Sequence, residues 1–286
     1  CRLRLFADDA KISHAFPKTD CSNQIGNSDV DNFGVWCDSW QLQVQPAKSS
    51  VMRLSVGVTQ DPEYRLNGVA IKVVNEIKDL GVLFSHDLGF RSHITTVATK
   101  AFRTIGYVLR AFVCRDRSFM VSLFVTRVRP LLEYCCELWS PKQITDIDRL
   151  ESVQRRFTKR IAGLANLTYA DRLAACRLEL LELRRFKRDL LLVYKIIQHR
   201  IDLDFDDFFE YAPNAVQTRG HSYKLYATKA RTSRPLSSFA YRVVNQWNAL
   251  PEDVVRAASV DVFKRRLDAI TLRLIPLLRG RAARSL

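Results

Sequence analysis

The chain has 286 residues, 47% hydrophobic and 26% charged, a globular composition that excludes a disordered one. No apolar run reaches the roughly 20 residues of a membrane helix, the nearest, at 190–197, being interrupted by Lys195. The net charge of +15 is uneven, with 19 basic and 16 acidic residues in 1–150 against 26 and 14 in 151–286, which suggests a polyanionic partner or, more plainly, a basic helical domain without one.

The chain opens on Cys1 inside a strand-like pattern, with no charged leader before an apolar segment, so it reads as a piece of a longer protein. Residues 2–16 predict a β-hairpin, with Leu3 and Leu5 alternating with Arg2 and Arg4 and a turn over Ala7-Asp8-Asp9-Ala10. A polar loop with Pro17, Asn23 and Gly26 covers 17–27. Ser28 then caps a helix whose apolar face is Val30, Phe33, Trp36, Cys37 and Trp40. Pro46 ends the connection, and Val51 to Val56 alternates as a strand. Leu66-Asn67-Gly68-Val69 predicts a type I′ hairpin turn, and Leu80 to Phe84 a further short apolar strand.

Beyond residue 90 the periodicity turns helical. Helices are expected over 92–113, over 118–129 as far as Pro130, and from Leu131 to Trp139. Thr145 and Asp148 make a capping-box-like start to a helix with the stripe Leu150, Val153, Phe157 and Ile161, followed by Gly163. A long helix is expected over 180–200, irregular chain over 202–235, and two last helices near 236–249 and 259–275, with Pro251 between them and Ser259 as a cap. The seven cysteines include no Cys-x-x-C and no zinc-like His spacing. The reading is therefore reduced intracellular thiols without Cys/His metal binding.

Asp8-Asp9 is the pair with chemistry in it. Adjacent carboxylates at a turn project into a shared space and repel unless a cation sits beside them; Mg²⁺, hard and suited to phosphate substrates, is the natural one. A plain Asp-Asp turn is the competing reading. Arg155, Arg156, Lys159 and Arg160 form like-charged i, i+4 pairs away from the apolar stripe of their helix. That is a ridge for phosphates or a solvated face. Arg184, Arg185, Lys187 and Arg188 make a second basic cluster.

Leu5-Phe6-Ala7-Asp8-Asp9-Ala10 resembles the palm motif of reverse transcriptases of retrotransposons lacking long terminal repeats, the jockey-like group in particular, with Phe6 where the family usually has Tyr. The order downstream is similar too. Phe33 to Trp40 precedes Leu42-Gln43-Val44-Gln45-Pro46-Ala47-Lys48-Ser49, with Gln45 for the usual Asn, and Lys78-Asp79-Leu80-Gly81-Val82-Leu83-Phe84 comes next. Arg129-Pro130-Leu131-Leu132-Glu133-Tyr134, Leu150 to Phe157, Thr218-Arg219-Gly220 and Trp247-Asn248-Ala249-Leu250-Pro251 extend the likeness over nearly the whole chain.

The resemblance implies an α+β chain: the end of a palm in 1–90, a helical thumb-like domain in 91–205 and a C-terminal helical extension in 206–286. It implies an RNA-directed DNA polymerase with two Mg²⁺ ions, an RNA template, a DNA primer, deoxynucleoside triphosphates, no membrane and a nuclear location. By the same resemblance Asp8 and Asp9 are metal ligands, and Lys48 is a general acid toward pyrophosphate. Gly81 lets the backbone approach the primer, and Arg155, Arg156, Lys159 and Arg160 grip the template–primer. The family's other catalytic aspartate lies on an earlier palm strand, upstream of residue 1, so the chain alone is expected to be inactive. A non-catalytic nucleic-acid-binding protein derived from a mobile element stays open as the alternative, as does the product of a decayed element.

Overall fold

The structure, a computed structural model, describes residues 1–15, 24–54, 63–212, 221–226 and 239–280. They fall into two compact units, Cys1–Gly89 and Phe90–Leu286.

The first unit is α+β. Strands β1 (Arg2–Phe6) and β2 (Asp9–Ser13) form the expected antiparallel hairpin, pairing Phe6 with Asp9 and Leu3 with Ile12. Helix α1 (Gln24–Ser39) begins before Ser28, which is therefore inside it and not its cap. The Pro17 and Asn23 loop positions lie outside the described residues. A 3₁₀ turn at Pro46–Lys48 leads to β3 (Ser50–Val51), which is parallel to β5 (Val69–Val73); β4 (Tyr64–Leu66) pairs antiparallel with β5 on its other side. The strand expected to reach Val56 thus ends its pairing at Val51, and 55–62 lie outside the described residues. Asn67 and Gly68 sit at φ 50° and 76°, as the two-residue turn requires.

The unit's core is Tyr64, Leu66 and Ile71, with Val30, Phe33, Val44 and Val51 packed against it. Helix α1 turns the arc of Gly26, Gly34 and Cys37 inward. A Cβ on Gly34 would stand 2.4 Å from Asn67 Oδ1, so glycine there lets the helix lie against the β4–β5 turn. This placement corrects the predicted apolar face: Trp36 and Trp40 point outward, 38% and 68% exposed. Their rings follow one another along the helix surface, centroids 6.4 Å apart.

Strands β6 (Glu76–Asp79) and β7 (Val82–Ser85) make a second hairpin. Leu80 and Gly81, expected within a strand, are its turn, at φ 44° and 87°. The reason for glycine at 81 is thus conformational in the first place, since an L side chain is strained there.

The second unit is helical. It contains α2 (Arg91–Ala111), α3 (Arg117–Leu123), α4 (Arg129–Glu133), α5 (Cys136–Trp139), α6 (Ile144–Thr158), α7 (Tyr169–Cys176), α8 (Leu181–Ile197), α9 (Phe239–Asn248), α10 (Glu252–Val255), α11 (Val260–Ala269) and α12 (Thr271–Leu274). Pro130 does not stop the chain as expected. A π-helical turn, Phe124–Val128, joins α3 to α4, and Pro130 enters the first turn of α4, where its missing N–H costs nothing. The expected helix from Leu131 to Trp139 is broken at Cys135, which adopts φ 51°. Gln143, not Thr145, stands at the N-cap of α6, and that helix ends at Thr158, before Gly163. Ser259 caps α11 as predicted, its Oγ accepting from Val262 N at 3.3 Å.

One apolar core runs through Leu183, Leu190, Val193 and Tyr194 of α8, Val243 and Trp247 of α9, and Phe263 and Leu267 of α11. Residues on both sides of the expected boundary at 205/206 therefore share it. Among the described residues no helix is long and apolar enough to cross a membrane.

Two histidines are buried in this unit. His93 meets Trp139 edge-on at 5.1 Å, and His221 Nε2 donates to Trp247 O at 2.9 Å. Desolvation pushes both imidazoles below their ordinary 6.5, so the folded state holds them neutral while the unfolded chain takes up protons. Their contribution to stability is full above pH 6.5 and is lost as the pH falls below it. Glu151 and Asp189, raised by burial, act in the opposite sense, and the measurement is accordingly a difference. His221→Gln should flatten the pH dependence of the denaturation midpoint below 6.5 relative to the wild-type chain. Identical slopes would show that His221 does not carry it.

Candidate active site and nucleic-acid interface

The β1–β2 hairpin presents Asp8 and Asp9. Ala7 and Asp8 form its two-residue turn, with Ala7 at φ 52°, a conformation that costs an alanine about 1–2 kcal/mol. Asp9 is the first residue of β2 and shares a face with Phe6, Arg4 and Lys11; Leu3, Leu5, Ala10 and Ile12 line the other face. Both carboxylates are exposed, and neither has a hydrogen-bond or ion-pair partner among the described residues.

Lys11 links this hairpin to the β6–β7 hairpin. Its ammonium pairs with Asp79, the last residue of β6, and lies 5.4 Å from the centre of the Phe84 ring. The Leu80-Gly81 turn is thereby joined to the Asp9 face through one intervening lysine. Sequence reasoning passed over Lys11, although its place two residues beyond Asp9 on a strand already put both on one face. His14 Nδ1 and Asp29 Oδ2, 2.8 Å apart, tie the end of β2 to α1. Lys48 is exposed at the end of the 3₁₀ turn, and its ammonium makes no ion pair or hydrogen bond among the described residues. Among the described residues no ion pair or hydrogen bond joins it to Asp8, Asp9 or Gly81.

The donor chemistry suits Mg²⁺, which takes carboxylate oxygens together with water and phosphate. Two adjacent carboxylates make up a minor part of an octahedral shell. Among the described residues no group of three His, Cys, Asp or Glu side chains converges to hold a metal. The pair fits the ion as a partial ligand set.

In the helical unit, Arg155 and Arg156 occupy the last turn of α6, and Lys159 and Arg160 follow it. Cations at a helix C-terminus are favoured by the helix dipole. Two of them also rest on rings: Arg155 lies 5.1 Å from the centre of Tyr169 and Arg156 5.5 Å from that of Phe102. Arg155 is half-buried, while Arg156, Lys159 and Arg160 are exposed. The dipole and the stacking offset the mutual repulsion that the spacing implied, so a phosphate is not needed to explain the ridge.

The second basic cluster is engaged internally. Arg184 pairs with Glu133 and Glu179, Lys187 with Glu179 and Asp268, and Arg188 with Glu137 and Glu133. Arg185 is buried, 1% exposed. Thr218-Arg219-Gly220 lies outside the described residues. Trp247-Asn248 serves the fold. Trp247 Nε1 donates to Tyr223 O, and the Asn248 amide exchanges two hydrogen bonds with the Leu225 backbone, each of the three 2.8 Å long.

No family model matches the chain, and no solved structure does. An uncharacterized Caenorhabditis elegans protein is 28% identical over 130 residues, 44% of this chain and 66% of that protein. The probable RNA-directed DNA polymerase from transposon X-element of Drosophila melanogaster is 22% identical over 167 residues, 56% of this chain and 18% of the relative. The RNA-directed DNA polymerase from mobile element jockey of Drosophila funebris is 24% identical over 138 residues, 47% of this chain and 15% of the relative. The matched segments thus cover under a fifth of either polymerase. Over about half its length the chain is a homologue of the RNA-directed DNA polymerases of the jockey and X-element mobile elements, which lack long terminal repeats.

Proposed function

We propose that this chain is the palm end (1–90), helical thumb-like part (91–205) and C-terminal helical extension (206–286) of an RNA-directed DNA polymerase, acting on a DNA primer paired with an RNA template. The observation that carries the reading is the exposed pair Asp8-Asp9, unpartnered among the described residues, on the first hairpin of a chain that is homologous to such polymerases over about half its length.

In this reading Asp8 and Asp9 hold the metal side of the site. Two Mg²⁺ ions, when bound, supply Lewis acidity at the attacking 3′-oxygen and the leaving pyrophosphate. Lys48 offers a proton to that pyrophosphate from its exposed ammonium. The Leu80-Gly81 turn supports the primer end, held to the Asp9 strand by Lys11 and Asp79. Arg155, Arg156, Lys159 and Arg160 contact the template–primer backbone without reading sequence.

The small ligand set favours a division of labour, in which further ligands come from a preceding palm strand and the 286 residues alone bind nucleic acid without extending a primer. The same observation is what a purely nucleic-acid-binding role would share. The test has two arms, run with a labelled RNA–DNA primer–template, deoxynucleotides and Mg²⁺. The purified chain should bind the hybrid and incorporate nothing. A longer polypeptide with the upstream palm should extend the primer and lose at least a thousandfold in rate on Asp8→Asn. Extension untouched by Asp8→Asn would sink the catalytic reading, and Asp8-dependent extension by the chain alone would sink the division of labour.

A further inference from the structure

Helix α2 carries basic residues and no carboxylate: from Phe90 to Leu132 the sequence has eight basic residues against one acidic, Asp116, and Asp116 caps α3 by accepting from Phe119 N. Lys100, Arg103, Tyr107 and Arg110 follow one another at steps of three or four, so they share one side of the helix. That side is opposite the buried stripe Ala98, Ala101, Ile105 and Val108. All four are exposed, Tyr107 by 66%. None of the three cations has an ion-pair partner among the described residues. The C-terminal carbonyls of α2 are served by another residue, Arg115, which donates to Leu109 O and Phe112 O, so Arg110 is not needed as a cap.

Polar and ring contacts fix α6 beside α2. Arg91 donates to Gln143, Arg149 to Thr95 Oγ1 at 2.7 Å, and Arg156 stacks on Phe102. Thr95 to Phe102 and Arg149 to Arg156 are equal seven-residue steps, so the two helices run in the same direction with matched turns. Their second halves therefore lie side by side. By this register the exposed cations after Arg156, Lys159 and Arg160, fall level with the half of α2 that holds Arg103, Tyr107 and Arg110.

We propose that the second half of α2 and the C-terminal end of α6 form one ridge that binds a nucleic-acid backbone, with Lys100, Arg103 and Arg110 as phosphate contacts equal in standing to Arg156, Lys159 and Arg160. The stripe from Lys100 to Arg110 is about 15 Å long, the axial length of about four nucleotides of one strand. Among the described residues neither row has a carboxylate paired to it, whereas the cations of α8 at 184, 187 and 188 are all paired. Tyr107 adds an uncharged contact between the cations. This inference rests on the nucleic-acid reading above and extends it to a helix that the motifs did not single out.

The experiment is a fluorescence-anisotropy titration of the full 286-residue chain with a labelled RNA–DNA hybrid, and in parallel with single-stranded RNA, over a range of salt concentrations. Each lost phosphate contact removes about 0.7–0.9 from the slope of log affinity against log salt. The triple variant K100A/R103A/R110A should flatten the slope by about 2–3 and weaken low-salt binding more than tenfold, as should R156A/K159A/R160A. Tyr107→Ala should weaken binding several-fold with the slope unchanged. The α2 positions are exposed and helical; should an alanine variant fail to show the wild-type circular dichroism spectrum, R103K/R110K, which keeps the charge, should keep the slope. A wild-type slope in K100A/R103A/R110A beside a flattened one in the α6 variant overturns the shared ridge and leaves the proposed function standing. No salt-dependent binding by the wild-type chain overturns both.

Discussion

Glu151→Ala lowers the unfolding free energy of the helical unit by about 3–5 kcal/mol, the cost of breaking a buried charged network at one member. Glu151 is 1% exposed, on the inner side of α6. One carboxylate oxygen accepts the Tyr169 hydroxyl, and the other accepts Leu181 N at 3.0 Å. Leu181 is the first residue of α8, whose own N-cap, Leu180, has no side-chain acceptor to offer. A carboxylate from 30 positions earlier therefore caps the longest helix of the core, with its charge at the positive end of the helix dipole. Arg185, one turn into α8, is equally buried, and its guanidinium has no hydrogen-bond partner among the described residues. Its charge is balanced through space by Glu151 and Asp189. Alanine at 151 leaves the Leu181 N–H without its acceptor and removes half of that balance. Glu151→Gln keeps an acceptor oxygen and loses the charge, so a smaller loss of about 1–2 kcal/mol is expected. Urea titrations followed by far-ultraviolet circular dichroism separate the two variants. Equal losses would show that the charge, and not the cap, is what matters; a loss under about 1 kcal/mol in both would remove the network from the account of stability.

Glu151 also illustrates what the amino-acid order shows and what it hides. Local chemistry was legible. The Asp8-Asp9 hairpin, the Asn67-Gly68 turn and the Ser259 cap each depend on a few consecutive residues whose backbone preferences agree with the fold. The Leu80-Gly81 turn was hidden because leucine takes a positive φ, against its preference, and so looks like strand. Trp36 and Trp40 were placed inward because a periodic stripe counts apolar residues. The close approach of α1 to Asn67 selects the small ones instead, Gly34 and Cys37. The cations at 184 and 188 looked free in the sequence, since their partners Glu133 and Glu137 lie 51 positions away. Of the candidate site, the paired carboxylates were visible as residues. The link from Asp9 to the Gly81 turn through Lys11 and Asp79, 68 positions apart, required the fold. So did the matched course of α2 and α6, which turns two ordinary basic stripes into neighbours.

The core that crosses residue 205 makes a second strong prediction. Trp247→Ala should cost about 3–5 kcal/mol, in the range for removing a fully buried aromatic side chain. The Trp247 ring is 0% exposed and stacks on Phe263, centroids 6.3 Å apart, which in turn stacks on Tyr194 of α8 at 4.4 Å. The side chain does more than fill volume. Its Nε1 donates to Tyr223 O, while the backbone carbonyl of the same residue accepts from His221 Nε2, so position 247 fastens the segment at 221–226 through both its side chain and its backbone. Asn248 completes the clamp on Leu225, and Leu225 bridges to Tyr211. Trp247→Phe keeps most of the ring and loses the donor to a half-buried carbonyl, so it should cost less, about 1–3 kcal/mol. If the unit is one cooperative body, Trp247→Ala shifts the loss of helix signal as a single transition, because α8 loses its packing along with α9 and α11. An early, separate transition confined to 206–280 would instead mark the C-terminal helices as an independent body. That outcome would support the boundary near 205 and make the thumb-like helices separable from the C-terminal ones.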